Sequence, residues 1–335
     1  MTCLNILFST LDDVLGSHNT MKPHVFAGNP LDRGDAQRRD QTWLDAQAKH
    51  PQSRILPLCQ LDILIQAEPS FELGWLSPAA LESLQATVPP VFLGLRDGIA
   101  HFALDVSDVE APLDKLQLGE AWQFQEARGA ATQLSMEAAG IVAQSRAQVG
   151  WHQRHRFCSV CGEPTQQGRG GHVRTCAACK AQHFPRTDPV AIMLISDGDK
   201  CLLGQSRGRL SRTGRYSALA GFIDQGESIE EAVRREVKEE AGIEVGEVRY
   251  HSSQPWPFPS SLMIGCHGKA ASTEIRIDAE EMTDVRWFHR DDVRAALRRD
   301  NPNLQVPDSI AIAHHLIRAW AEGEVAWDSG GGTAS

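Results

Sequence analysis

The chain has 335 residues, a net charge of −10 and 41 % hydrophobic residues, which is the composition of an ordinary globular protein of about two domains. The acidic balance argues against a surface built throughout for polyanions, and no stretch approaches the roughly 20 apolar residues of a membrane span. The first residues lack the basic segment of a secretory signal peptide, so we expect a cytoplasmic protein without a membrane segment.

The beginning of the chain divides at Met21. Residues 17–20 are polar, whereas the residues after Met21 supply turns that lead into a first domain. A short terminal segment without packing partners is usually mobile. We therefore expect residues 1–20 to be a disordered extension, and Met21 is a second candidate for the start of translation. In the alternative, residues 6–8 dock on the first domain as an added strand or helix.

A small α+β domain is predicted over residues 21–155. Two apolar segments, 91–95 and 99–106, flank an Arg-Asp-Gly turn and predict a β-hairpin. In its second strand, Phe102 and Leu104 should alternate with His101 and Ala103, because successive side chains of a strand point to opposite faces.

A helix is predicted from about Ser135 to His155, and it leads into a cysteine module at 156–187. The module carries two CxxC pairs separated by 14 residues, a spacing typical of a structural zinc site with four thiolates. Disulfides are the competing interpretation, but nothing in the sequence indicates secretion. We predict one structural Zn²⁺ per chain, with the ligands Cys158, Cys161, Cys176 and Cys179.

The cysteine module is also basic. Residues 150–187 contain six arginines and lysines and a single acid, Glu163. Such a patch can bind nucleic acid, or it can balance the double negative charge of Zn²⁺ with four thiolates. The second interpretation is preferred, and the first stays open. The glycine-rich segment 168–171 suits the tip of a hairpin.

A second domain is predicted over residues 188–322. The continuous apolar run at 190–195 is typical of a buried strand, and 200–206 predicts its hairpin partner. Further strands are predicted at 248–254, 261–270 and 285–288, a closing helix at about Asp308 to Trp320, and a flexible tail at 323–335.

The most informative segment is GFIDQGESIEEAVRREVKEEAGI, residues 221–243. Ser228, with Glu231 three residues later, forms a capping box and predicts that a helix begins there. Gly242 suits the left-handed residue that ends a helix. Glu227 precedes the helix and should steady the loop before it.

Three carboxylates, those of Glu236, Glu239 and Glu240, share one face of this helix, because they stand at i, i+3 and i+4. Carboxylates crowded beside apolar residues repel one another and are costly to desolvate. A hard cation removes both costs, and such oxygen ligands favour Mg²⁺ or Mn²⁺. Arg235 stands four residues before Glu239 and should orient it. A solvated acidic helix face is the alternative.

Ten residues beyond this segment stands SQPWPFPSS, residues 253–261. Its three prolines fix the backbone and remove donors, while Trp256 and Phe258 supply rigid rings. Such a proline-stiffened loop can wall a pocket for a flat base and hold a subunit contact. In the alternative it only packs.

Residues 221–243 fill every fixed position of the pattern G-x5-E-x7-R-E-U-x-E-E-x-G-U, where U is a bulky aliphatic residue. The segment resembles the box of the Nudix hydrolases, and SQPWPFPSS resembles a motif of the NADH pyrophosphatase family within them. The resemblance implies an α/β (α+β) fold. Residues 188–322 would form the catalytic Nudix domain, which has a mixed sheet sandwiched by helices. The resemblance also implies a zinc ribbon at 156–187 and a degenerate Nudix-like domain at 21–155.

The implied activity is metal-dependent hydrolysis of the pyrophosphate bond of NADH or NAD⁺ to nicotinamide mononucleotide and AMP, by a homodimer. The same chemistry would remove an NAD cap from the 5′ end of RNA. A Nudix hydrolase of another nucleoside diphosphate, such as ADP-ribose, is an alternative, but it gives no reason for SQPWPFPSS. An alternative of another class is a nucleic-acid-binding zinc-ribbon protein with an inactive Nudix domain, against which the intact set of glutamates argues.

The resemblance implies a role for individual residues of this sequence. The catalytic residues are Arg235, Glu236, Glu239 and Glu240, with Glu239 the preferred base. The ligands of the catalytic Mg²⁺ or Mn²⁺ are Glu236, Glu239, Glu240, Glu281 and the carbonyl of Ala220.

The implied substrate site has two parts. Phe184 and Phe222 should stack on the substrate base. The lining residues are Gln254, Pro255, Trp256, Pro257, Phe258, Pro259, Ser260, Ser261, Met263 and Ala311, with Ser261 and Met263 reaching the site across a dimer interface.

Overall fold

The computed structural model describes residues 24–208 and 213–327. The predicted extension at 1–20, Met21 and the tail beyond residue 327 lie outside the described residues. Two six-stranded mixed sheets are present, with a three-stranded ribbon between them along the chain. None of the helices in the described part of the chain combines the length and the apolar character that a membrane span requires.

The first sheet has the strand order β3-β2-β1-β5-β4, and β6 also pairs with β2. Only the pair β1 and β5 is parallel among these strands. The strands are β1 (Arg54–Cys59), β2 (Asp62–Gln66), β3 (Glu72–Leu73), β4 (Val91–Arg96), β5 (Ile99–Asp105) and β6 (Trp122–Gln125). The helices are α1 (Gln41–Gln47), α2 (Pro112–Leu116), α3 (Ala127–Ala131) and α4 (Met136–Arg154), with 3₁₀ helices at Gln37–Arg39 and Pro78–Leu84.

The predicted hairpin is confirmed as β4 and β5, which pair antiparallel. The predicted alternation is also confirmed, because Phe102 and Leu104 pack on one side of β5 and Ala103, which is fully buried, packs on the other. Phe102 belongs to one core of this domain and Ala103 to the other, so the central strand β5 is covered on both faces. The predicted helix is confirmed as α4, whose N-cap Ser135 accepts a hydrogen bond from the Ala138 N–H.

The cysteine module folds as a ribbon of β7 (Thr165–Gly168), β8 (Val173–Cys176) and β9 (Gln182–His183). A 3₁₀ turn at Arg169–Gly171 joins the first two strands, so the glycine-rich segment forms the predicted hairpin tip. Gly170 has φ 60° and lies against Phe92, where a Cβ would stand 2.7 Å from the Phe92 Cβ. The tip therefore packs directly on the first domain.

The second sheet has the order β13-β14-β10-β11-β15, and β12 pairs with β10. Its strands are β10 (Asp188–Asp197), β11 (Lys200–Ser206), β12 (Leu219–Phe222), β13 (Val245–Trp256), β14 (Ser261–Ala270) and β15 (Met282–His289). Its helices are α5 (Ile229–Ala241), α6 (Arg290–Leu297) and α7 (Ile312–Ala321).

Helices cover both faces of this sheet, as predicted. Alternate residues of β10 enter two separate cores: Met193 packs in the core that contains residues of α5, whereas Leu194 packs with α6 and α7. The continuous apolar run of β10 follows from this arrangement, because both of its faces are buried.

Three details differ from expectation. The closing helix begins at Ile312 and not at about Asp308, because residues 308–311 form a turn in which the Ala311 N–H donates to the Asp308 carbonyl at 3.0 Å. The first half of SQPWPFPSS is not a loop: β13 continues to Trp256, which pairs with Ser261 of β14. Within the expected tail, Trp327 donates from Nε1 to Ser196 Oγ at 2.9 Å.

Candidate active site

The helix α5 begins and ends where the sequence predicts. Ser228 Oγ accepts a hydrogen bond from the Glu231 N–H, and the Glu231 carboxylate accepts one from the Ser228 N–H at 2.7 Å. Gly242 ends the helix with φ 71°. Ala232, Val233 and Val237 are buried in the core on or beside the face that carries the carboxylates, whereas Arg234 and Lys238 are exposed on the other side.

Of the three carboxylates on α5, those of Glu236 and Glu240 are buried and that of Glu239 is exposed. The backbone of Gly221 in β12 lies directly against the Glu236 carboxylate, where an added Cβ would overlap the carboxylate carbon. Glycine is therefore required at position 221 by space, and Ala220 precedes it in the same strand.

The carboxylates of this region lack sufficient counter-charge. Burial raises the pKa of Glu240 to about 8, and the charges of Glu236 and Glu281 act in the same direction. Burial also raises the pKa of Glu236, although Arg235 opposes the shift. Glu240 Oε2 is buried without a hydrogen-bond partner. A buried carboxylate oxygen of this kind, beside further carboxylates, fits a hard divalent cation.

Glu281 belongs to this cluster, since its charge acts on both Glu236 and Glu240. Glu281 lies one residue before β15, and its carbonyl accepts a hydrogen bond from the Arg207 N–H at 2.8 Å. The carboxylates are less compact than the cysteine group described below, which is the one set of close ligand atoms among the described residues. Mg²⁺ keeps several of its water ligands, so a looser set of carboxylates suits it.

Arg235 joins the loop before α5 to the carboxylate face of the helix. Its Nε and Nη2 donate to the two Glu227 carboxylate oxygens at 2.6 and 2.8 Å, and its Nη1 donates to Glu236 at 2.7 Å and Glu239 at 3.0 Å. Nη2 also donates to the Phe222 carbonyl at 2.8 Å. These bonds lower the pKa of Glu227 to about 2, with the Asp224 N–H contributing.

The four cysteines meet as predicted. Cys161 Sγ lies 3.5 Å from the Sγ atoms of Cys176 and Cys179, and Cys158 Sγ lies 3.6 Å from that of Cys179. These separations exclude disulfides and approach the S···S edge of about 3.8 Å in a tetrahedron with Zn–S bonds of about 2.3 Å. Sequence reasoning missed His183, whose Nε2 lies 3.3 Å from Cys158 Sγ.

The motif strand β13 borders two cavities. One of about 310 Å³ is lined by Gln254, Trp256, Met263 and Ala311, so the structure brings these four predicted residues together. Another of about 610 Å³ is lined from the second domain by Pro255, Trp256, Pro257, Ser260 and Ser261, and from the first domain by residues that include Arg33.

The predicted stacking residues Phe184 and Phe222 line neither of these cavities. Their side chains are exposed, at 57 % and 60 %. Both rings are therefore accessible to a ligand or a partner. Pro259 lies in the turn between β13 and β14.

The rings of the motif pack against the first domain. Phe26 contacts Trp256 and Phe258 edge to face, with ring centroids 5.8 and 5.6 Å apart. Arg146 of α4 lies over the Phe258 ring at 4.4 Å, and Arg128 of α3 lies over Trp256 at 5.2 Å. Part of the motif therefore holds the two domains together.

The Gln254 amide has a structural role that the sequence did not reveal. The side chain is fully buried; Nε2 donates to the carbonyls of Val25 and Ile310 at 3.0 and 2.7 Å, and Oε1 accepts from the Ile312 N–H at 2.8 Å. One amide thus joins the start of the first domain to the start of α7.

Three family models match the chain in order. An NADH pyrophosphatase-like rudimentary NUDIX domain matches residues 52–151, an NADH pyrophosphatase zinc ribbon domain matches residues 153–184, and a NUDIX domain matches residues 185–306.

Several characterised proteins are similar to the chain over most of its length. NAD-capped RNA hydrolase NUDT12 of Homo sapiens is 36 % identical, over 89 % of this chain and 73 % of the relative. NAD(P)H pyrophosphatase NUDT13, mitochondrial, of Homo sapiens is 41 % identical over 67 % of this chain and 68 % of the relative. NAD-capped RNA hydrolase NudC of Mycobacterium bovis is 34 % identical over 87 % of this chain and 94 % of the relative. A NUDIX hydrolase structure from Nitrosomonas europaea has a TM-score of 0.41 and 21 % identity, over 50 % of this chain and 90 % of that one.

Proposed function

Because this chain belongs to the NADH pyrophosphatase family of the Nudix hydrolases, we propose that it hydrolyses the pyrophosphate bond of NADH and NAD⁺. Water adds to one phosphorus atom and the bridging P–O bond breaks, which gives nicotinamide mononucleotide and AMP. The observation that carries the proposal is the buried Glu240 carboxylate on α5, whose Oε2 has no hydrogen-bond partner. The SQPWPFPSS strand supports the choice of substrate, because it borders cavities on the same sheet.

The carboxylates of Glu236, Glu239, Glu240 and Glu281, with the carbonyl of Ala220, would hold Mg²⁺ or Mn²⁺. When bound, this cation supplies charge that neutralises the diphosphate and lowers the pKa of a coordinated water. Electrostatic preorganisation of this kind dominates phosphoryl transfer.

The protein's own residues position the reaction. Arg235 fixes the loop that contains Phe222 and the carboxylates of Glu236 and Glu239 in one network. Glu239 has the exposed carboxylate of the three and accepts the proton of the attacking water. Phe222 and Phe184 offer exposed rings for stacking on the substrate base.

The activity is tested by incubating the purified protein with NADH and Mg²⁺ and separating the products by chromatography. We expect equal amounts of AMP and reduced nicotinamide mononucleotide, and no turnover without a divalent cation. Release of free nicotinamide, or intact NADH after prolonged incubation with Mg²⁺ or Mn²⁺, would contradict the proposal.

NAD-capped RNA is a second candidate substrate. The relatives NUDT12 and NudC are NAD-capped RNA hydrolases, and the bond to be broken is the same as in NAD⁺. A 5′ NAD-capped oligonucleotide should yield a 5′-monophosphorylated RNA, which a gel resolves. An unchanged cap under conditions that hydrolyse NAD⁺ would restrict the enzyme to small dinucleotides.

The zinc ion is proposed to be structural, one per chain, on Cys158, Cys161, Cys176 and Cys179. Four cysteine sulphur atoms would fill all four positions of a tetrahedral zinc ion and leave none for a substrate, as in structural zinc sites. Metal analysis after extensive dialysis should give about one zinc per chain. Cys158→Ser should lower the unfolding temperature before it alters kcat, and a kcat loss at unchanged stability would oppose a structural role.

A cytoplasmic homodimer completes the proposal. The proposed subunit contact rests on the family resemblance and on the proline-stiffened SQPWPFPSS segment. Support for a reducing compartment comes from the cysteines of the described residues, which form no disulfide. Light scattering should give twice the chain mass of 36.8 kDa, and a mass of one chain at micromolar concentration would exclude the dimer. Fractionation of cells should place the protein in the cytosol.

A further inference from the structure

A cavity of about 650 Å³ lies between the first domain and the zinc ribbon. The first domain contributes the loop at Val88 and Pro89, the carboxylates of Asp105 and Asp108, and His152 of α4. The ribbon contributes Arg156, Phe157 and Arg174. No residue of the α5 site and none of the SQPWPFPSS motif lines it, so this cavity is separate from the proposed catalytic site.

The ribbon wall of the cavity carries a half-buried cation without an acidic partner. Arg174 donates from Nε to Thr165 Oγ1 and from Nη2 to the Thr165 carbonyl, both at 2.7 Å, and from Nη1 to His152 Nδ1 at 3.0 Å. All three acceptors are neutral, and among the described residues no carboxylate pairs with Arg174. Burial lowers the pKa of Arg174, and the charge of Arg156 acts in the same direction. A bound anion would therefore stabilise the positive charge of this wall through charge-assisted hydrogen bonds.

Arg174 is not positioned to neutralise the negative charge of the four cysteine thiolates. The hydrogen bonds of Arg174 run to Thr165 and His152 and none runs to sulphur. Arg156 is exposed beside it without an ion pair among the described residues. The Arg174 guanidinium is thus held at the cavity wall by neutral acceptors, and the exposed Arg156 beside it adds a second positive charge.

The remaining walls complement the other parts of a nucleotide. Phe157 is 65 % exposed at the cavity and offers a ring face on which a base can stack. Asp108 is exposed on the opposite wall and has no partner among the described residues. In dinucleotide-binding folds a carboxylate accepts hydrogen bonds from ribose hydroxyls, and Asp108 offers the same kind of acceptor here.

From this arrangement we propose that the cavity between the first domain and the zinc ribbon is a second nucleotide site. The phosphate lies at Arg156 and Arg174, the base stacks on Phe157, and the ribose hydroxyls donate to Asp108. The ligand is a nucleoside 5′-monophosphate unit, either as a free nucleotide or as one nucleotide of an RNA strand. The site is independent of hydrolysis at α5.

The test uses the full-length protein loaded with zinc and without added Mg²⁺. Isothermal titration with AMP should give more than one binding site per chain if the α5 site also binds AMP, and one site otherwise. Arg156→Gln and Phe157→Ala should each weaken the cavity site about tenfold or more. Lys180→Gln removes an exposed ribbon charge outside the cavity and should leave binding unchanged. Adenosine, which lacks the phosphate, should bind at least tenfold more weakly.

A second arm distinguishes the two sources of the ligand. An uncapped, 5′-monophosphorylated RNA of five nucleotides should bind tenfold or more tightly than AMP, with a steep salt dependence, if the natural ligand is an RNA strand. Equal affinity identifies a free nucleotide as the ligand. The proposal is overturned if Arg156→Gln and Phe157→Ala bind both AMP and the RNA as the unaltered protein does, whatever the hydrolytic activity. Loss of NADH hydrolysis in Glu240→Gln with these affinities retained concerns only the α5 site.

Discussion

The two six-stranded sheets of this molecule share one topology but differ in the segment between their hairpins. In each, the first strand pairs parallel with a later one, β1 with β5 and β10 with β14. The hairpin β1–β2 corresponds to β10–β11, and the antiparallel pair β4–β5 corresponds to β13–β14. In the same way, β6 pairs with β2 and β15 pairs with β11.

Between these hairpins the second domain has α5, whereas the first has only the 3₁₀ helix Pro78–Leu84. The 3₁₀ helix buries Leu81 and Leu84 and has one acid, Glu82, which is exposed. The first sheet thus retains the fold without a carboxylate face. The comparison indicates that the chemistry depends on one helix and its loop, and that the sheet serves as a scaffold.

The largest expected effect comes from Glu240→Gln, which removes a charged ligand and keeps its shape. We expect kcat for NADH to fall about 100-fold or more, with an unchanged unfolding temperature. The matched control is Glu82→Gln in the corresponding segment of the first domain, which should leave kcat unaltered. Near-normal turnover of Glu240→Gln at saturating Mg²⁺ would remove this glutamate from the essential ligands.

A glycine in each domain provides the next comparison. At Gly221 an added Cβ overlaps the Glu236 carboxylate, whereas at Gly74 it meets Leu64 Cγ at 2.6 Å. Gly221→Ala should lower kcat about tenfold through displacement of Glu236, measured at saturating NADH. Gly74→Ala should instead lower the unfolding temperature and leave kcat per folded molecule unchanged. The same response from both variants would show that the two segments do not differ in function.

The helix α5 could be predicted because its signals lie close together in the sequence. The contacts that surround it could not, because they join residues that are far apart along the chain. The carboxylate face follows from the periodicity of one helix, and the capping box and Gly242 fixed its ends. The Arg235–Glu227 pair spans a loop of unknown path and was missed. Gln254 bonds Val25, which is 229 residues away, and no pattern in the sequence specifies such a contact. Similarly, Arg146 reaches Phe258 only through the packing of the two domains.

The contact between the two domains should respond to pH. His24 is buried, with Nε2 2.7 Å from Ser252 Oγ and its ring 4.5 Å from that of His315. Burial lowers the pKa of His24 to about 4, and the charges of His315, His251 and Arg318 act in the same direction. As the pH falls from 6.5 to 4, the unfolded chain takes up this proton before the folded protein does.

The free energy of unfolding should therefore fall by about 1.4 kcal/mol per pH unit for His24 alone in that window, and not above it. His24→Gln keeps a hydrogen-bonding group and removes the titration, so its stability should depend less steeply on pH. Urea unfolding at pH 7, 6 and 5 measures the difference in slope between the two proteins. Parallel slopes would show that His24 is not buried in its neutral form.

The smallest effect is expected at the exposed rings. Phe222→Ala should raise KM for NADH about fivefold and change kcat less, since a stacking contact is lost from binding. Phe157→Ala, an equally exposed ring on the zinc ribbon, should not change KM in the same steady-state assay. An unchanged KM in Phe222→Ala would place the substrate base elsewhere.

The most direct test of the central claim is the ratio of kcat/KM for NADH to kcat/KM for ADP-ribose, measured on one preparation at saturating Mg²⁺. Both substrates contain the diphosphate that the α5 carboxylates would act upon, and only NADH carries the nicotinamide base. If the SQPWPFPSS strand and the exposed rings select that base, NADH should be preferred about tenfold or more. A ratio at or below one would contradict this account and assign the enzyme to other nucleoside diphosphates.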